Sequence, residues 1–142
     1  MKSQDQLNAA GLLLFNSGYI YRRLRKEAER IGIRWSTLTL LKDIELLSPV
    51  TQKELAAENH ISGPSVSVLV NQMIKEGLIK RTANSKDRRS STLSLTPKGQ
   101  SRLNSDGLKL QESLLPLLDK LNAKEITALL RAEFSLSKLF RS

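Results

Sequence analysis

Residues 49–99 hold most of the information about how this chain folds; they read PVTQKELAAENHISGPSVSVLVNQMIKEGLIKRTANSKDRRSSTLSLTPKG. Near their start, Thr51 and Glu54 have the spacing of a capping box, in which each side chain binds the other residue's backbone N–H. A short helix is therefore predicted from here to about residue 59. The turn that follows ends in Ile61, an apolar side chain that we expect to plug the space before the next helix.

A second helix is predicted from Gly63 to Lys75. Ser62 is a favourable N-cap, Pro64 is tolerated in the first turn, and Gly77 supplies the left-handed residue that often closes a helix. Apolar residues recur at helical spacing along this segment, which places them on one inward-facing side. This inner stripe comprises Val66, Leu69, Val70 and Met73.

The periodicity changes from helix to strand after Gly77. Residues 78–82 are one short strand candidate, and residues 92–95 alternate polar and apolar side chains, as a half-buried return strand does. Residues 84–87 contain Asn, Ser and Asp, which favour turns. Together with the two preceding helices, this hairpin predicts a winged helix-turn-helix.

The outward side of the second helix is predicted to enter a major groove, which is wide enough for one helix. Because this side is uncharged, base reading would use amides and apolar contact: Val68 on a thymine methyl, Asn71 or Gln72 on adenine. Serines and free N–H groups at the helix start suit phosphate. The predicted DNA contacts of this part are Thr51, Ser62, Pro64, Ser65, Ser67, Val68, Asn71 and Gln72. Alternatively, the serines serve only as caps and exposed positions.

The hairpin tip is strongly basic, with Lys86, Arg88 and Arg89 beside one acidic residue, Asp87. A basic tip suits a narrow minor groove, whose negative potential attracts arginine. Asp87 does not favour phosphate binding, so we expect it to brace the wing by pairing with Arg81 or Arg89. The alternative is a solvated charged turn, since an exposed ion pair contributes only ~0–1 kcal/mol.

Two helices are predicted before this segment. The first spans residues 5–31, with a heptad-like apolar seam, and closes at Gly32. The second begins near Ser36 and runs to Leu47, where Ser48-Pro49 stops it.

Two further helices are predicted after the hairpin. Thr96 caps a long helix that has Pro97 in its first position, and Pro116 is expected to kink or split it. Asn122, with Glu125 three residues on, starts a last helix rich in Leu and Phe. The predicted fold is mainly α with a small β wing. Residues 35–96 form the winged helix-turn-helix, and residues 1–34 and 97–142 form a helical dimerisation region.

Composition excludes several classes of protein. The chain has 142 residues, a net charge of +9, no cysteine and one histidine. Without cysteine there is no disulfide framework, thiolate zinc site or thiol catalysis, and one histidine cannot build a multi-histidine metal site. No cofactor is expected. The excess of positive charge favours polyanions as partners. The chain start does not read as a signal peptide and no segment reads as a membrane span, so a cytoplasmic protein is expected, associated with the nucleoid when bound to DNA.

The wing residues Asp87-Arg88-Arg89, followed by Leu95-Thr96-Pro97-Lys98-Gly99, resemble the D-x-R…L-T-x-x-G signature of the MarR family of bacterial transcription regulators. Leu55-Ala56, Ser65-Val66-Ser67 and the segment 76–81 resemble the helix-turn-helix of that family and its exit. The resemblance is densest over residues 49–99, about a third of the chain. The sequence departs from the family at Asn71, where an acidic residue often braces the wing arginine, and at Val68 and Gln72, where basic residues are common.

The resemblance implies a homodimer, built from the terminal helices, that binds a pseudo-palindromic operator on double-stranded DNA. The apolar seams of those helices point the same way, because they exceed what one small winged domain buries. It also implies a small aromatic or phenolic effector between the dimer helices and the winged domain, which would release the protein from DNA. Candidate effector contacts are Tyr19, Arg22, Trp35, Leu38 and His60.

The expected function is therefore that of a sequence-specific transcription regulator, and of a repressor rather than an activator. The main alternative is an architectural or non-specific DNA-binding protein, which the charge alone does not distinguish. A winged-helix adaptor for other proteins is a third reading. An enzyme is not expected, since the chain has no Gly-rich phosphate loop, nucleophile system or metal-ligand spacing.

Overall fold

The computed structural model describes residues 3–59, 61–83 and 90–141. The chain forms two compact units, Met1–Leu108 and Lys109–Ser142, which are described separately below. Among the residues described, no helix is both long enough and apolar enough to cross a membrane.

The described residues contain six helices and three short strands. In chain order they are α1 (Gln4–Arg30), α2 (Trp35–Leu47), β1 (Val50–Thr51), α3 (Gln52–Asn59), α4 (Gly63–Lys75), β2 (Ile79–Ala83), β3 (Ser91–Leu95), α5 (Pro97–Leu118) and α6 (Ala123–Phe140). The strands form one antiparallel sheet in the order β1-β3-β2, with Ile79 opposite Leu95 and Val50 opposite Leu93. This arrangement confirms the predicted mainly α fold with a small β wing.

Local chemistry sets the helix ends, as the sequence predicts. Thr51 Oγ1 accepts the backbone N–H of Glu54 at 3.1 Å, and the Glu54 carboxylate accepts the N–H of Thr51 at 2.9 Å. Asn122 and Glu125 form the same reciprocal pair at the start of α6. Gly32 and Gly77 have φ of 79° and 74°, the left-handed conformation expected of residues that close a helix.

Two features differ from the sequence-based expectation. Strand β1 was not predicted, because a strand of two residues is too short to show an alternating pattern. Pro116 is expected to kink or split the long helix; it does not split it, since α5 continues as one helix to Leu118. Pro116 cannot donate to the carbonyl four residues earlier, and the helix ends two residues later.

The core of the first unit lies within the winged segment. Its largest fully buried side chains come from α2, α3, α4, β2 and β3 and from the turn before β2: Leu41, Ile44, Leu55, Val66, Val70, Met73, Leu78, Ile79 and Leu93. Each such side chain contributes roughly 1.5–3 kcal/mol when it leaves water. By contrast, Ala28 is the one buried residue in the whole of α1.

Glu76, at the C-terminal cap of α4, connects three parts of this unit. Arg34, just before α2, donates from Nη2 to both carboxylate oxygens of Glu76, at 2.7 and 2.9 Å. Lys98 of α5 donates to the Glu76 backbone carbonyl at 2.8 Å. The hydrogen bond from Arg34 is the largest cause that lowers the pKa of Glu76 below its usual value, and the nearby charge of Arg102 adds to it.

A depressed carboxylate pKa makes the stability contributed by Glu76 dependent on pH. That contribution is fully present above the unfolded value of 4.5 and is lost as the pH falls through the lower folded value. We therefore expect Glu76→Gln to lower the free energy of unfolding at pH 7, by at most about 1 kcal/mol because the pair is partly exposed. The difference should shrink below pH 4.5. Denaturant titrations at several pH values measure this difference in unfolding free energy. If Glu76→Gln has the same effect when Arg34 is already replaced by Ala, the ion pair is not its cause.

At Gly99 the backbone of α5 passes very close to the backbone of Leu78. Thr96 Oγ1 donates to the Gly77 carbonyl at 2.5 Å and accepts the N–H of Gly99 at 3.0 Å, while the N–H of Thr96 binds the Leu78 carbonyl. A Cβ on residue 99 would overlap the backbone carbonyl of Leu78. The first turn of α5 therefore requires glycine at this position.

Gly99→Ala is expected to destabilise the protein by roughly 2 kcal/mol or more, because backbone rather than a flexible side chain must move. Gly107→Ala is the matched control in the same helix, since a Cβ there meets nothing within 4 Å in the described part of the chain. That control should stabilise by roughly 0.5–1 kcal/mol. Thermal unfolding compares the two, and equal effects would show that the close approach at Leu78 is unimportant.

Candidate nucleic-acid interface

Helix α4 has two sharply different sides. Val66, Val70 and Met73 are buried, and Leu69 is partly buried, which agrees with the predicted inner stripe. The opposite side is exposed; it consists of the uncharged residues Pro64, Ser65, Val68, Asn71 and Gln72, with Lys75 in the last turn. Ser67 lies between the two sides and is partly buried. The helix therefore presents hydrogen-bonding and apolar groups to solvent at the positions predicted to read DNA.

The N-terminus of α4 is exposed and organised by two serines. Ser62 Oγ accepts the backbone N–H of Ser65 at 3.2 Å, and the two hydroxyl oxygens lie 2.7 Å apart. The helix dipole and the remaining free N–H groups make this end suitable for an anion. Ser62 and Ser65, the two serines predicted to contact phosphate, are thus close together and exposed to solvent.

Two other predicted contacts already have partners within the protein. Thr51 is the N-cap of α3 and pairs with Thr92 in the sheet. Gln72 donates from Nε2 to the Glu76 carboxylate at 3.2 Å. This bond holds the Gln72 side-chain amide in place near the C-terminal end of α4.

Gln52, in the first turn of α3, joins α4 to strand β2 of the wing. Its Nε2 donates to Ser67 Oγ at 2.7 Å, and its Oε1 accepts from Arg81 Nη2 at 2.9 Å. Gln52 is not among the contacts predicted from the sequence. Its partners are 15 and 29 residues away, so no local spacing indicates the contacts. An amide at the start of the supporting helix was the only signal.

The wing is described as far as its two strands. Beyond buried Ile79, the side chains of β2 are exposed, including Lys80 and Arg81. The predicted contacts Lys86, Arg88 and Arg89 and the predicted brace Asp87 lie outside the described residues. For Arg81 the structure shows a partner that was not predicted, Gln52.

An open cavity of about 600 Å³ lies between α1 and the first winged helices. Its lining includes Tyr21, Arg25, Arg34, Trp35, Asn59 and Ile61. The rings of Tyr21 and Trp35 meet edge to face, with centroids 5.5 Å apart. The indole Nε1 of Trp35 is buried and has no hydrogen-bond partner among the described residues.

The cavity contains one of the five residues predicted to contact an effector, namely Trp35. Tyr19 and Arg22 are exposed and are not part of its lining, Leu38 is buried in the core, and His60 lies outside the described residues. Two residues along a helix are about 200° apart around its axis. The side of α1 that faces the cavity therefore carries Tyr21 and Arg25 rather than Tyr19.

Comparisons with known proteins agree with this geometry. A sequence model described as the MarR family matches residues 32–90, from the end of α1 to the start of β3. The HTH-type transcriptional repressor MdtR of Bacillus subtilis (strain 168) is 29% identical over 101 residues. That alignment covers 70% of this chain and 65% of MdtR, slightly less than two thirds of the relative's length.

Solved structures share the fold over nearly the whole chain. A protein from Pseudomonas aeruginosa PA01 named as a transcriptional regulator has a TM-score of 0.79 at 27% identity, covering 99% of both chains. A point mutant of MepR from S. aureus, bound to an oligodeoxyribonucleotide, has a TM-score of 0.59 at 21% identity, covering 92% of this chain and 97% of that one. Residues 32–90 therefore match the MarR family, and nearly the whole chain has the same fold as these solved structures.

Proposed function

We propose that this protein is a sequence-specific transcription regulator that binds double-stranded DNA as a homodimer. One observation carries the proposal: from Pro64 to Gln72, the exposed side of α4 is uncharged and offers hydrogen-bonding groups, and α4 packs beside strand β2, which carries Lys80 and Arg81. Bulk positive charge attracts any DNA, but only such a side distinguishes base pairs. The relative named as a repressor and the MepR structure with an oligodeoxyribonucleotide support this function, and the first supports repression.

In this proposal the DNA contacts are divided among three groups of residues. The serines at the start of α4, with Thr51 and Pro64, contact the backbone. Ser67, Val68, Asn71 and Gln72 face the bases of the major groove, and Lys86, Arg88 and Arg89 enter the minor groove. Asp87 and Arg81 hold the wing. The protein would act in the cytoplasm, on the nucleoid.

The homodimer is inferred from apolar side chains that neither unit buries. In α1 they include Leu12, Leu14 and Phe15, and in α6 they include Leu130 and Phe134, with Phe15 78% and Phe134 73% exposed. Apolar side chains left this exposed along a helix indicate an association site. A second copy is the occupant we propose, because each terminal helix carries exposed apolar side chains that the same helix of a twofold-related copy can cover, and a twofold dimer places two α4 helices one DNA turn apart.

A small aromatic anion is the effector class that best suits the open cavity. Trp35 contributes an aromatic ring to the wall. Arg25 and Arg34 also line it, where they pair with Glu29 and Glu76. Binding there would act on the winged segment, since the same cavity is lined by Ile61, just before α4, and by Leu69 within α4.

The direct test is selection of bound DNA from genomic fragments with the purified protein. A recovered sequence with twofold symmetry and half-sites about one helical turn apart is the expected result. Competition with unrelated DNA then separates the alternatives. A specificity ratio near one would favour an architectural DNA-binding protein, and no salt-dependent binding would favour a protein-interaction adaptor.

Arg89→Ala is expected to weaken operator binding about tenfold or more, since one arginine contact in a groove contributes about 1–3 kcal/mol. Lys26→Ala is the matched control, because it removes the same charge from an exposed position on α1. Fluorescence anisotropy with the selected operator at physiological salt measures both. An unchanged affinity for Arg89→Ala would reject the role of the wing.

Leu130→Glu is expected to convert the dimer to monomer at micromolar concentration, because it places a charge on the apolar side of α6, where Leu130 is 70% exposed. Ser135→Glu adds the same charge on the opposite side of that helix and should leave the dimer intact. Light scattering after size exclusion gives the masses. A monomeric wild-type chain would overturn the proposed assembly.

A further inference from the structure

Gln52 uses both ends of its amide at once. Its Nε2 lies 2.7 Å from Ser67 Oγ on α4, and its Oε1 lies 2.9 Å from Arg81 Nη2 on β2. Among the hydrogen bonds of the described residues, this amide alone connects the recognition helix to the wing strand through side chains. Helix α3 therefore holds a fixed distance between the two elements that are proposed to contact DNA.

The chemistry of arginine settles which end of the amide faces which partner. A guanidinium has donors only and no acceptor. The amide oxygen of Gln52 must therefore face Arg81, which leaves its NH₂ group facing Ser67. Ser67 consequently accepts a hydrogen bond from Gln52, and its own hydroxyl hydrogen points elsewhere.

Within the described part of the chain, that hydroxyl hydrogen has no acceptor. Ser67 lies at the margin of the exposed side of α4, between Pro64 and Asn71, and Arg81 is exposed next to the same amide. A hydroxyl committed as an acceptor on one side is available as a donor on the other, and the neighbouring guanidinium still has N–H groups to donate.

We propose that Gln52 is a positioning residue: it fixes Ser67 as a hydrogen-bond donor and holds Arg81 beside it. The Ser67 hydroxyl and the Arg81 guanidinium then form one binding site for an acceptor atom on DNA. This inference rests on the proposed function, because it assigns how the recognition helix and wing cooperate on the same DNA. The acceptor is a phosphate oxygen or an acceptor on a base edge, which share the same chemistry.

Gln52→Glu distinguishes positioning from simple bracing. A carboxylate accepts from Arg81 at least as well as an amide does, so the wing remains attached and the melting temperature should not fall. However, a carboxylate has no N–H, so Ser67 must turn its hydrogen toward residue 52 and is no longer a donor to DNA. Operator affinity is expected to fall about tenfold, by the same factor as for Ser67→Ala.

The double variant Gln52→Glu/Ser67→Ala should bind no more weakly than either single variant, since both remove the same donor. Lys53→Gln is the charge control, because it makes the net charge more negative by the same amount at the neighbouring exposed residue. Its effect should be smaller and should add to that of Ser67→Ala. Additive losses for Gln52→Glu and Ser67→Ala, or unchanged binding by either single variant, would overturn the inference.

The same binding experiment distinguishes a phosphate oxygen from a base-edge atom as the acceptor. If Ser67 and Arg81 bind phosphate, Ser67→Ala weakens binding to every operator variant equally; if they read a base edge, it relaxes the preference at one position. Failure of the proposed function would appear differently, as a wild-type protein that binds no selected DNA. Wild-type binding with an unaffected Gln52→Glu variant would reject the positioning role alone.

Discussion

Burial of one stripe of α4 is the constraint on which the rest of this structure depends. Val66, Val70 and Met73 leave water together against side chains from α2, α3 and the sheet. Because helical geometry couples every side chain to that stripe, the same burial determines which residues face outward. The positions of the serines, of Val68 and of the two amides follow from a hydrophobic requirement that does not involve them.

The sequence predicted those parts of the fold that short-range chemistry determines. Helix starts at Thr51, Ser62 and Asn122 follow from side chains three residues apart, and the ends at Gly32 and Gly77 follow from one backbone conformation. These signals lie within one turn, so they can be read without a structure. The two faces of α4 were predictable for the same reason.

Features that depend on distant parts of the chain could not be predicted in this way. Strand β1 exists because Val50 pairs with Leu93, and Gln52 has its role because Ser67 and Arg81 come to it from other elements. The cavity likewise depends on which side of α1 faces the winged helices, and this places Tyr21 rather than Tyr19 beside Trp35. No local motif specifies the rotation of α1 about its own axis, and that rotation decides which of its residues line the cavity.

Helix α1 spans 27 residues and buries only Ala28. At 1.5 Å per residue it is about 40 Å long, and the described chain gives it little packing energy. Its order must then come largely from what covers it, so the proposed pairing of two copies would make the folding of α1 depend on protomer concentration. In a cell, the number of copies would set not only how much operator is occupied but also how much of each copy is folded.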